Sequence, residues 1–250
     1  MRPYALTPHK PKLNYYMFFS PLNLVKILSQ QFPNGLFYQP TTEPVVALTI
    51  DDVGDASTLE IIDVIAAHNQ QDTSVLPPVN ATFFITTHHL QNNPSLLETL
   101  IQSNHEIGNH GIYDRTHAAL KPDEFEAEIQ QAHDILTQEN KTVVKWFRPG
   151  RGRYNKTMIQ TLSKLAKTAG YNPQFALASM IPLDTLKFTN YPQFTARYVS
   201  QFIFPGAILV LHGGSNTRTH QTVIALKNIL SYCDRHHYRV VSLSELYEQF

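Results

Sequence analysis

A parallel α/β fold, its sheet either open or closed into a barrel, is what this sequence predicts, on three observations. Short apolar runs that read as buried strands alternate with amphipathic stretches long enough for helices. A length of 250 residues suits one α/β domain with a sizeable core. Asp51-Asp52 and His212 close two of the apolar runs, and in such folds functional residues gather at the C-terminal ends of strands.

The elements follow in order. Residues 1–14 carry prolines and lysines and read as a loose arm. Pro21, then Leu22, Leu24, Val25 and Leu28, predicts a short helix that opens on proline and stops near Pro33-Asn34-Gly35. Leu36-Phe37-Tyr38 reads as a brief strand. Residues 45–50 are a buried strand, Leu59 to Ala67 a helix, 72–80 with Pro77-Pro78 a loop, and Ala81 to Ile85 a second buried strand. A helix opening at Asn93-Pro94 places Leu96, Leu97, Leu100 and Ile101 on one face. The next opens at Pro122 with Phe125, Ile129, Ala132 and Leu136 on one side and Asp123, Glu124 and Glu126 near its positive end. Another runs from the N-cap Asn155 through Met158, Ile159, Leu162 and Leu165 to Gly170. Ile208–Leu211 and Val240–Leu243 are late strands around a helix over about 219–233.

Composition excludes several classes. Twenty basic and twenty acidic residues balance, so no global field recruits nucleic acid or an acidic membrane. The single Cys233 rules out an internal disulfide framework and a multi-cysteine zinc site. The apolar stretch Tyr15–Leu28 is broken by Pro21, Asn23 and Lys26, which argues against a membrane span, and it lacks a cleavage pattern. No secretion signal being visible, the cytoplasm is the default location, with the cell envelope or secretion the alternative if the chain was trimmed.

Chemistry concentrates in four clusters. Asp51-Asp52 ends a buried strand, where unpaired charge is expensive, so one carboxylate can hold a cation while the other moves a proton. The second is His105-Glu106-Ile107-Gly108-Asn109-His110, continuing to Asp114 and His117; in a chain of twelve histidines such pairs are weak alone. The third is Trp146-Phe147-Arg148-Pro149-Gly150-Arg151-Gly152-Arg153, and the fourth is Leu211-His212-Gly213-Gly214.

In this order the clusters resemble the polysaccharide deacetylase family, the NodB-homology or carbohydrate esterase 4 enzymes. Thr49-Ile50-Asp51-Asp52 is similar to its Thr-Phe-Asp-Asp motif, the segment ending in His110 to the approach to its metal histidines, Phe147-Arg148-Pro149 to its Arg-Pro motif and Leu211-His212 to its Leu-x-His motif. Ala81–Ile85 looks like the family's second strand, and the resemblance covers about residues 43–247. It implies a single-domain distorted (β/α) barrel, with residues 1–42 an arm and short helix packed on a catalytic domain over 43–250.

The resemblance also implies roles. A divalent metal, zinc by preference, would sit on Asp52 and His110 with an open water position. Asp51 would be general base, Arg148 would pair with it and keep it ionised, and His212 would protonate the leaving amine. A backbone N–H of the 149–152 turn would meet the oxyanion, and Asp184 would support His212. The implied partner is an N-acetylated carbohydrate, and the implied reaction is removal of its acetyl group.

Two departures stand out. The family's two metal histidines are four residues apart, but here Asp114 stands four after His110 and the next histidine is His117. Seven residues span about 10.5 Å on a helix, which a loop around Gly111 can shorten. His117 is narrowly preferred as third ligand for its nitrogen donor and its register before the next helix, with Asp114 the alternative. The aromatic usually following the Arg-Pro motif gives way to Gly150-Arg151-Gly152-Arg153, which would favour an anionic substrate or be a solvated basic turn. His88-His89 and His236-His237 read as surface residues and Trp146 as core. Two further readings stay open: cleavage of another small amide on the same fold, and a relative that binds without turnover.

Overall fold

β-Branched residues pack well on a pleated surface, and the run from Val45 becomes the central strand. In the computed structural model, which describes residues 21–71, 76–138, 142–182, 184 and 191–250, every residue of that strand is buried. A strand covered on both faces reads as a continuous apolar run instead of an alternation. The strands are β1 (Gly35–Leu36), β2 (Val45–Val53), β3 (Thr82–Ile85), β4 (Glu106–Asn109), β5 (Phe175–Ala176), β6 (Ile208–His212) and β7 (Arg239–Val241). The helices are α1 (Pro21–Gln31), α2 (Thr58–Asn69), α3 (Leu96–Gln102), α4 (Pro122–Thr137), α5 (Lys156–Thr168), α6 (Pro192–Phe202), α7 (Asn216–Arg235) and α8 (Leu243–Gln249).

β2 runs parallel to β3 on one side and β6 on the other, β4 continues beyond β3, and β7 pairs with the start of β2. Short segments carry the sheet onward. Asn109 bridges to Phe147, Ala176 N–H donates to the Phe147 carbonyl (3.0 Å), Leu177 N–H donates to Leu36 O (2.9 Å), and Met180 bridges back to Leu209 of β6. The sheet thus closes irregularly into a distorted (β/α) barrel. Helices cover the outside: α7 packs on α2 and α6, and α4 on α5. Each fully buried Leu, Ile or Phe of the core contributes about 1.5–3 kcal/mol. α1 joins that core through Val25. Among the described residues no helix is long and apolar enough to cross a membrane.

Asn155 caps α5 as expected, its side chain accepting from Met158 N–H at 3.0 Å. Other boundaries moved. The strand expected at 36–38 is β1, with Tyr38 in an isolated antiparallel bridge to Ala207. The strand expected over 240–243 stops at Val241, because Ser242 accepts from Glu245 N–H (3.2 Å) and starts α8. Ile101 is 39% exposed instead of sharing the buried face of α3. The arm at 1–14, the aromatics Tyr15 to Phe19, and residues 72–75 of the expected loop lie outside the described residues.

Candidate active site

Adjacent strand residues normally face opposite ways, so Asp51 and Asp52 could not both serve one site on a regular strand. The pairing of β2 with β3 shifts register between Ile50 and Val53, and Asp52 takes a left-handed backbone with φ 61°. Aspartate tolerates that conformation better than bulky residues, at a cost of about 1–3 kcal/mol. Both carboxylates now line one cavity of about 300 Å³, together with His110, Asp114, Arg148, Arg151 and His212. Gly214, with φ 80°, closes over the same turn: a Cβ there would lie 2.4 Å from the Asp52 carbonyl oxygen. Gly214→Ala is therefore expected to lower unfolding free energy by about 1–2 kcal/mol for the left-handed backbone alone. It should also displace Asp52, so a denaturant midpoint and a cation titration should fall together.

Arg148 follows the Phe147 bridge and is held in every direction. Its Nη1 donates to Asp51 Oδ1 (2.6 Å) and Thr49 Oγ1 (2.7 Å), Nε donates to Ala176 O (2.9 Å), and Nη2 donates to Leu177 O (3.1 Å). The guanidinium lies over the Phe84 ring, 4.1 Å from its centroid. One oxygen of Asp51 is thereby fixed. The expected Asp51–Arg148 pairing is present.

Asp51 is the register partner of His212 on neighbouring β6. His212 Nδ1 lies 2.7 Å from Asp184 Oδ1, and its backbone N–H donates to Asp184 Oδ2 at 3.0 Å. Burial pulls the imidazole pKa down. The hydrogen bond and charge of Asp184, with Asp51 and Asp52 nearby, outweigh it and raise the pKa above the ordinary histidine value. The match expected for Asp184 is thus beside His212.

The donor atoms of Asp52, His110 and Asp114 lie within 4.8 Å of one another. His110 Nδ1 sits 2.8 Å from Arg148 O, so that nitrogen carries the hydrogen. Its Nε2 then offers a lone pair 3.2 Å from Asp52 Oδ1, acceptor facing acceptor. A cation or a proton must lie between them. Burial lowers the His110 pKa, yet the charges of Asp51 and Asp52 raise it overall; Asp52 itself, despite burial, is held well below the usual carboxylate range by His110, with His212 and Arg218 adding to the effect. Two carboxylates and a tautomerically fixed imidazole fit a divalent metal.

The structure groups Asp114, the alternative third ligand, with Asp52 and His110, and leaves the preferred His117 out of that group. His117 Nδ1 accepts from Gly150 N–H at 2.8 Å, so the ring hydrogen is on Nε2, which faces Glu128 Oε1 at 3.5 Å. Nε2 is buried without a hydrogen-bond partner, and His117 is outside the three-residue group. Its ring instead packs edge-on to Phe125 and Phe147 in the barrel wall.

The polysaccharide deacetylase family profile matches residues 38–170. The chain belongs to that family. A peptidoglycan-N-acetylglucosamine deacetylase of Bacillus cereus is 31% identical over 214 residues, covering 83% of this chain and 90% of that one. A solved structure of a peptidoglycan N-acetylglucosamine deacetylase superposes with a TM-score of 0.75 at 22% identity, covering 90% of this chain and 98% of that one. A carbohydrate esterase 4 pseudoenzyme from Bacillus anthracis superposes at 0.69 and 21% identity, covering 85% and 68%. Those structures share the distorted barrel.

In this deacetylase-family chain three site residues had escaped the sequence reading. Arg218, in the first turn of α7, donates from Nη1 to Asp52 Oδ2 (2.9 Å) and Gly213 O (3.2 Å). An arginine at a helix N-terminus opposes the helix dipole, and that was the available signal. Glu128 is buried on α4 and accepts from Ile112 N–H (3.1 Å) and Tyr113 N–H (3.4 Å), while Arg115 pairs with its other oxygen. Burial pushes its pKa up, but His117 and Arg115 bring it down to about 2. It thereby holds the loop that presents Asp114. A carboxylate adjoining Ile129 on the apolar face of α4 was its signal. His89, expected at the surface, reaches Asp52 O with Nδ1 at 3.1 Å. A larger groove of about 660 Å³ beyond the 111–115 loop contains neither Asp51 nor His212, so volume alone does not locate the chemistry.

Proposed function

We propose that this protein is a zinc-dependent hydrolase that removes acetyl groups from N-acetylated sugars of the chitin or peptidoglycan type. The observation that carries the reading is the placing of two oriented proton-transfer groups, Asp51 on Arg148 and His212 on Asp184, around one cavity with the Asp52–His110–Asp114 donor set. Asp52, His110 and Asp114 would hold the cation. Once bound, it supplies Lewis acidity, making water more acidic and the amide carbonyl more electrophilic.

The chain's own groups do the rest. Asp51 accepts a proton from the water as its oxygen adds to the acetyl carbonyl carbon. In the 149–152 turn Pro149 has no N–H, Gly150 N–H is bonded to His117, and Gly152 N–H to Pro149 O (3.0 Å). That leaves Arg151 N–H to meet the developing oxyanion. His212, whose pKa is raised, against the lowering effect of burial, chiefly by its hydrogen bond to Asp184, gives its proton to the nitrogen as the C–N bond breaks, releasing acetate and a free amine.

Acetate release from N-acetylated chito-oligosaccharides or peptidoglycan fragments, with cation content measured in parallel, tests the reading. Asp114→Ala is expected to weaken zinc binding by about 10–100-fold or more, whereas His117→Ala should cost clearly less. Bound metal with no acetate from any acetylated sugar would favour the second reading, a binding protein without turnover. The carboxylate in place of the usual second metal imidazole is what speaks for that alternative.

A further inference from the structure

Three carboxylates face the cavity, and each is matched by its own guanidinium. Arg148 Nη1 is 2.6 Å from Asp51 Oδ1, Arg218 Nη1 is 2.9 Å from Asp52 Oδ2, and Arg151 Nη2 is 3.2 Å from Asp114 Oδ2. Formally the three pairs cancel. The last two pairs involve carboxylates read above as cation ligands, and the inference rests on that reading.

We propose that Arg218 and Arg151 are selectivity-determining residues that decide which divalent cation the site accepts. Each engages one oxygen of a ligating carboxylate, leaving Asp52 and Asp114 one oxygen apiece to offer. Arg218 occupies Asp52 Oδ2, while Oδ1 is the oxygen facing His110 Nε2. Calcium is held by six to eight oxygens and often by a carboxylate chelating through both, so it loses most from this restriction. Zinc needs about four ligands and gains from an imidazole nitrogen, so it loses least. Charge acts in the same direction. Hard cations are held largely by surplus negative charge, and two arginines on two ligating carboxylates remove that surplus, while the His110 nitrogen still rewards a softer ion.

Both arginines occupy backbone positions that do not favour them. Arg218 lies in the first turn of α7, at the positive end of the helix, and Arg151 has a left-handed backbone with φ 62°. They come from separate elements and bracket the donor set from two directions.

The test uses the full chain, stripped of metal by chelator and titrated calorimetrically with zinc and, separately, with calcium. Arg218→Met and Arg151→Met keep side-chain bulk and remove the guanidinium. Each is expected to raise the ratio of calcium to zinc affinity by about tenfold, and the double variant by more. A ratio unchanged within error would overturn the proposal, whether the two affinities rise together or fall together. Near-UV circular dichroism checks folding. Should Arg218→Met not fold, Arg151→Met still decides, because its side chain is 55% exposed. Asp114→Ala separates the two levels: if it leaves zinc affinity intact, the ligand reading fails; if it weakens zinc while the arginine variants leave the ratio alone, only the selectivity proposal fails.

Discussion

Asp51→Asn is expected to lower kcat for deacetylation by about 10²–10⁴-fold, the usual worth of a positioned general base. Cation affinity should change little. The amide is isosteric with the carboxylate and can still accept a hydrogen bond from Arg148 Nη1, now 2.6 Å from Asp51 Oδ1, so the turn carrying Asp52 keeps its shape. What disappears is an oxygen basic enough to take the water's proton. The discriminating measurement pairs acetate release with zinc titration. Turnover lost and zinc retained identifies Asp51 as the base. Both lost together would place Asp51 among the groups that hold the ion, and both retained would remove it from the chemistry. The same variant leaves Arg148 without its counter-charge, but the guanidinium keeps Thr49 Oγ1 and the carbonyls of Ala176 and Leu177 as acceptors. A collapse of the fold is therefore not expected.

Much of the fold was legible because its strands are covered on both faces and its longer helices are amphipathic. The runs at Val45 and Ala81, the Asn155 cap and the proline opening of α4 all express local chemistry that a sequence displays directly. β4, β5, α6 and α8 were missed. β5 is two residues long, and its pairing with β1 joins positions 140 residues apart, which no local pattern encodes. α6 opens on Pro192, a helix-start signal that was not weighed. Among the site residues, Asp51, Asp52, His110, Arg148 and His212 share a cavity as their motif order implied. The preference for His117 as third donor weighed imidazole by type, whereas the structure groups Asp114 with Asp52 and His110. Which ring nitrogen is free depends on Gly150 N–H and Glu128, contacts that arise only when α4 and the 149–152 turn meet around the 111–117 loop. Arg218 was invisible for a similar reason, since its partner Asp52 is 166 residues away.

Removing the Arg148 side chain is expected to be the most damaging substitution at the site. Arg148→Met leaves Asp51, 5% exposed, as a buried charge without its partner, a change that typically costs about 3–5 kcal/mol. The carbonyls of Ala176 and Leu177 lose their donor as well, and these residues carry the barrel from the Phe147 bridge towards β1. A further 1–3 kcal/mol, roughly, attaches to each buried acceptor left unsatisfied. Lysine should not rescue the site, because one ammonium cannot span Asp51, Thr49 and two carbonyls in the planar fan that a guanidinium provides. The cause can be isolated by denaturant unfolding of Arg148→Met, Asp51→Asn and the double variant. If the isolated carboxylate dominates, the double variant should be more stable than Arg148→Met alone, since neutralising residue 51 removes the stranded charge. If the double variant is no more stable than Arg148→Met, the damage lies in the broken bonds to β5 and its neighbour, and Arg148 acts chiefly as a clasp across the barrel wall.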